Sequence, residues 1–118
     1  MSYQVSLLDV PEKEKTKVLY ISGDIDESNL EDFKRDFSPL LETQGIEEYV
    51  LHLRDLQFIN SMVIGYFAGV FSDLHAKGKK LVIAEGNSHI LDILTLVGFT
   101  NLVKHYPTLQ EAIEKAGA

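Results

Sequence analysis

The chain has 118 residues, with 11 Lys and Arg against 18 Asp and Glu, a formal net charge of −7. At 45% hydrophobic and 25% charged it has a globular composition, long enough to bury roughly two-thirds of its unfolded surface. The acidic balance argues against a nucleic-acid backbone as main partner, the lack of cysteine excludes disulfides and thiolate metal sites, and no apolar run approaches the ~20 residues of a membrane span.

The segment MSYQVSLLDVPEKEK has no basic leader followed by an apolar stretch, so a cytoplasmic location is expected. Tyr3 to Val10 alternates loosely and predicts a strand ending at Pro11, and Glu12 to Lys15 is a charged turn. Lys17 to Gly23 predicts a second strand, antiparallel to the first because the connection is short. The run SNLE reads as a capping box, with Ser28 as N-cap and Glu31 three residues on. Leu30, Phe33, Phe37, Leu40 and Leu41 follow at helical spacing, with Pro39 placed to kink or split the helix. Tyr49 to Leu53 predicts a strand buried on both faces, and a short apolar strand ending runs into Asn60 and Ser61.

After Ser61 a long helix is expected, its core stripe formed by Ile64, Phe67, Ala68, Phe71, Leu74 and His75. Lys80 to Gly86 predicts the next strand. Ser88 is placed to cap a third helix carrying Ile90, Leu91, Leu94 and Val97, closed by Gly98. A short strand over Leu102 to Lys104 and a last helix capped by Thr108, with Glu111 completing the box, finish the chain. This order predicts one α/β domain over residues 1–118. Its sheet is mixed and mostly parallel, with four to five strands, an antiparallel N-terminal pair and about four helices packed on it.

Few residues suggest chemistry. His52, His75, His89 and His105 show no spacing that would converge on a metal. The acids Asp24, Asp26 and Glu27 in GDIDES admit a magnesium site but are explained as readily by the dipole of the following helix. There is no glycine-rich phosphate loop and no nucleophile elbow, so no enzyme, cofactor or metal is expected. Ser61 has two readings. As an N-cap it accepts a first-turn amide for about 1 kcal/mol; as a phosphoacceptor it would hold a dianion at the positive end of a helix. On the same helix Met62, Val63, Tyr66 and Val70 lie beside or opposite the predicted core stripe, and Gly65, Gly69, Ser72 and Ala76 form a strip of small residues. Such a strip admits close approach of a neighbouring helix of the same domain, or of a partner or second copy.

Over nearly its whole length the chain resembles STAS domains of the anti-sigma factor antagonist type. VLYISGDIDESN resembles that family's second strand and Gly-Glu-Leu/Ile-Asp loop, and YVLHLRDLQFINSMVIG its central strand and Asp-Ser-Ser/Thr-Gly-Leu-Gly motif. KKLVIAEGNSHILDILTLVGFTNLV and PTLQEAIE fit the remainder. The resemblance implies a bacterial, cytoplasmic binding module that regulates transcription by partner switching. The unmodified domain would bind an anti-sigma factor that is also a serine kinase, phosphorylation of Ser61 would break that complex, and a phosphatase would restore it. The surface so implied comprises Asp24, Asp26, Asn60, Ser61, Met62, Val63 and Tyr66; a homodimer is an option left open by the small-residue strip and not by the resemblance. Asn60 stands at the motif aspartate, Met62 at the following Ser/Thr and Val63 at the motif glycine, which makes the helix start less charged and more apolar. Those departures open alternatives: a phosphorylation-independent module in an assembly or in lipid transport, or one binding a nucleotide or small anion.

Overall fold

The computed structural model describes residues 2–116. Strand β1 (Tyr3–Asp9) and strand β2 (Thr16–Ile25) are antiparallel, in register from Tyr3 opposite Gly23 to Asp9 opposite Lys17. At ten residues β2 is long enough to serve two parallel partners in turn. Its first half pairs with β3 (Glu48–His52) and its end with β4 (Leu56–Ile59), through Gly23–Leu56, Asp24–Phe58 and Ile25–Ile59. Strands β5 (Lys80–Ala84) and β6 (His105–Tyr106) extend the sheet, giving the order β1-β2-β3-β5-β6 with β4 on the free half of β2.

Side-chain alternation divides the core in two. Leu19, Ile21, Tyr49, Leu51, Leu81 and Ile83 face helices α1 (Leu30–Phe37), α2 (Ser61–Ala76) and α3 (Ser88–Leu96). Val18, Val50 and Ala84 face α4 (Leu109–Lys115) through Ala112. Both faces are covered, which is why β3 is buried at every position.

The fold class, the antiparallel pair and the four helices agree with the sequence. The sheet has six strands among the described residues, because β4 is a strand separate from β3 and the two-residue β6 adds another. No strand forms at Leu102–Lys104; a 3-10 turn over Phe99–Asn101 precedes β6 instead. Pro39 does split the first helix, starting a 3-10 turn over Ser38–Glu42. Three N-caps are displaced by one residue. Asn29, Asn60 and Asn87 precede the helices where Ser28, Ser61 and Ser88 were expected, whereas Thr108 caps α4 through the Glu111 amide as expected. The buried stripe of α2 is Val63, Ile64, Phe67, Val70 and Leu74, so Val63 and Val70 lie in the core and His75 is exposed. Apolar residues surround most of that helix, and periodicity alone could not select its inward face.

The candidate switch surface at the start of helix α2

Ile25 and Ile59 are paired at the ends of β2 and β4, so the β2–α1 loop and the start of α2 lie side by side. Asn60 occupies the junction in extended conformation, with φ −112° and ψ −177°. Its carbonyl accepts from the amides of Val63 (3.1 Å) and Ile64 (3.2 Å), and its Oδ1 accepts from Val63 N–H at 3.2 Å. Its Nδ2 donates to Glu27 Oε2 at 2.6 Å.

Because Asn60 is the cap, Ser61 is released from that duty. It is the first helical residue and exposed, and among the described residues no hydrogen bond engages its hydroxyl. A free hydroxyl at a helix start can be modified without dismantling the cap. Met62, next in the chain, is 57% exposed.

The remaining predicted surface residues separate. Asp24 is half-buried at the end of β2; its amide donates to Ser2 O at 2.8 Å and its carbonyl accepts from Asn29 Nδ2 at 2.9 Å. Asp26 Oδ1 accepts from the Ser28 hydroxyl (2.5 Å) and amide (2.8 Å), which hold its carboxyl below the ordinary range. Val63 is fully buried, so it supports the surface from beneath and is unavailable for direct contact with a partner. Tyr66 turns toward α1: its hydroxyl lies 2.6 Å from Ser38 Oγ and its ring packs against Phe33 and Phe37. Burial raises its phenol pKa. The half-buried Asn60 and the exposed Ser61 and Met62 thus form one edge beside the acidic loop, with Tyr66 on a different flank.

Two contributors escaped the sequence. Glu27 was noted only as one of three loop acids, with no link to Asn60. An open groove of about 270 Å³ lies between α2 and the end of α3, lined by Ser61, Ile64, Ala68, Val97, Phe99 and Leu102 among others. Val97 (53%) and Leu102 (57%) are exposed there, and Leu96, outside the groove lining, is 87% exposed. The signal was the apolar run LTLV, in which Leu96 falls off the Ile90–Leu94 stripe; Val97, expected on that stripe, is exposed because the helix ends at Leu96. The small-residue strip is also open at its glycines: among the described residues, no atom beyond their chain neighbours and their own helix backbone lies within 4 Å of where a Cβ would stand on Gly65 or Gly69.

The histidines sit elsewhere. His52 is buried with Nε2 3.5 Å from Glu85 Oε1, and His105 accepts from the Gly86 amide at 3.3 Å. Among the described residues no three His, Asp or Glu side chains converge as a metal site, and no helix is long and apolar enough to cross a membrane.

A six-stranded mixed sheet with this crossover pattern and a serine at the start of α2 defines a STAS-type domain. The STAS domain model matches residues 8–112, and the chain belongs to that family. It is similar to the anti-sigma F factor antagonist of Paenibacillus polymyxa, at 21% identity over 89 residues, 75% of this chain and 76% of that protein. Among solved structures it resembles an anti-sigma factor antagonist from Mycobacterium paratuberculosis, with TM-score 0.83 and 18% identity over 96% of this chain and 92% of that one. It also resembles the Bacillus cell fate determinant SpoIIAA in its phosphorylated form, with TM-score 0.66 and 17% identity over 97% and 98% of the two chains. These likenesses establish a fold shared with anti-sigma factor antagonists.

Proposed function

We propose that the chain is a single-domain regulatory binding module of the bacterial cytoplasm, an antagonist that captures an anti-sigma factor with serine kinase activity. It performs no catalysis itself. The observation that carries this reading is the free, exposed Ser61 hydroxyl at the rim of the apolar groove formed with Val97 and Leu102. In the unmodified state Met62, Val97 and Leu102 supply apolar contact area while Asp26 and Asn60 lie on the polar side. Transfer of the γ-phosphoryl group of ATP to Ser61 Oγ, with loss of the hydroxyl proton and release of ADP, sets a charge of about −1.5 to −2 on that rim. Burying such a charge against an apolar partner surface is unfavourable, so the complex dissociates, and a phosphatase returns the serine. A second copy of the chain is a competing occupant of the same face.

Incubation with ATP and the serine kinase anti-sigma factor of the same genome is expected to add one phosphate to the wild type and none to Ser61→Ala. Absence of modification, where a known antagonist is modified in parallel, would remove the switch. The second reading, docking without phosphorylation, is favoured by the exposed apolar Met62 where the resembled motif carries a hydroxyl. It predicts that Ser61→Asp retains the partner in a pull-down, while the switch predicts loss of binding.

A further inference from the structure

We propose that Glu27 is a specificity-determining residue of this surface: held by the Asn60 side chain, its carboxylate couples the β2–α1 loop to the charge state of Ser61. This rests on the Ser61 reading above and adds the route by which a phosphate there is felt beyond its own residue.

The two ends of the Asn60 amide have different tasks. Oδ1 takes the Val63 amide hydrogen and Nδ2 gives one to Glu27. Turning the amide over would set N–H against N–H and oxygen against carboxylate, so the orientation is fixed by its two neighbours. Glu27 is exposed at the tip of a loop that braces itself internally. Asp26 N–H donates to Asn29 Oδ1 (2.9 Å), Asp26 Oδ1 accepts from Ser28, and Asn29 Nδ2 donates to the Asp24 carbonyl. Such a loop moves as a block, and the Glu27–Asn60 bond ties the block to the first turn of α2.

An aspartate at position 60 would keep the helix cap but lose the donor, and would face Glu27 with a second carboxylate. Asn60 and Glu27 are therefore matched: the acid next to the serine is carried by the loop and not by the capping residue. A partner reading that acid must place its cation over the loop, to one side of the helix end. A dianion on Ser61, adjacent in the chain to Asn60, repels Glu27 and competes for Nδ2. The cap survives and the loop is freed.

The test uses the purified chain with phosphoserine installed at position 61 during synthesis, so its outcome does not depend on any kinase or partner. Amide hydrogen exchange of residues 26–29 is expected to speed up about threefold or more on phosphorylation in the wild type and to change by less than about 1.5-fold in Glu27→Gln, as befits an exposed charged contact. In the unphosphorylated protein Asn60→Asp should loosen the loop. Adding Glu27→Gln to it should restore protection, because the donor and acceptor are then exchanged. An equal response in wild type and Glu27→Gln, no response in the wild type, or failure of the double variant to regain protection would each overturn the proposal. If the loop responds as expected but no kinase modifies Ser61, the functional reading fails while the coupling stands.

Discussion

At Asn60 and Ser61 two neighbouring side chains divide work that either could have done. Asn60→Ala removes the side-chain cap and the Glu27 contact together, and is expected to lower stability by about 1 kcal/mol in urea denaturation. Ser61→Ala removes a hydroxyl that bonds none of the described residues and should stay within about 0.5 kcal/mol of the wild type in the same measurement. Equal losses for the two would show that the serine shares in the cap. This division was not legible in the sequence. Asn and Ser are about equally good caps, the chain places them side by side at both Asn60–Ser61 and Asn87–Ser88, and only backbone conformation selects between them. That the junction matters was legible, because a strand ending, a polar pair and an apolar helix succeed one another there. Val63 was misassigned for a related reason. It was placed by its position in a motif, and the sheet-facing side of α2 is wider than one stripe.

Helix α4 shows how a short element is held at the scale of secondary structure. Its first amide, of Leu109, donates to Glu85 Oε2 at 2.8 Å, and at its other end Lys13 Nζ donates to the carbonyls of Ile113 (2.5 Å) and Ala116 (2.9 Å). An anion at the N-terminus and a cation at the C-terminus both complement the helix dipole. Glu85 makes its contact at φ +56°, a conformation that costs energy for any residue except glycine. The Leu109 amide, and after it His52 and Arg54, hold the Glu85 carboxyl below its ordinary value of 4.5. A carboxyl lowered on folding contributes stability that is complete above its unfolded value and is lost as pH falls through its folded one. Hydrogen exchange in α4 is therefore expected to quicken as pH drops below about 4.5, once corrected for intrinsic rates, and Glu85→Gln should flatten that acid response. An unchanged response in Glu85→Gln would move its origin to another group. Elements with an apolar alternation or a capping box were readable in advance. The His105–Tyr106 pairing was not, since two residues carry no period and the buried Val103 just before them imitated a strand.

Across the whole molecule, β2 links the two ends of the fold. It pairs with the N-terminal strand along one edge and presents β4, and hence Ser61, at its far end. The change of partner is marked by Gly23 at φ +93°, where an added Cβ would lie 2.2 Å from the Ser2 carbonyl oxygen. One face of the sheet is sealed by α4, and on the other the outer side of α2 stays open between two grooves, one lined by Val97 and Leu102 and one of about 400 Å³ lined by Ser38, Leu41 and Tyr66 among others. Gly65 lines both grooves and Gly69 the larger one, each with open space where a Cβ would stand. Alanine at both should raise the unfolding free energy in urea by about 1–2 kcal/mol, since each glycine inside a helix costs about 1 kcal/mol and open space at both positions admits a methyl group. The same pair of methyls is expected to weaken capture of the proposed anti-sigma partner in a pull-down, whereas unchanged capture would place the docking face elsewhere. Two methyl groups would make this domain firmer at positions where its own packing leaves room for them, so its stability at the outer side of α2 stands below what the fold allows.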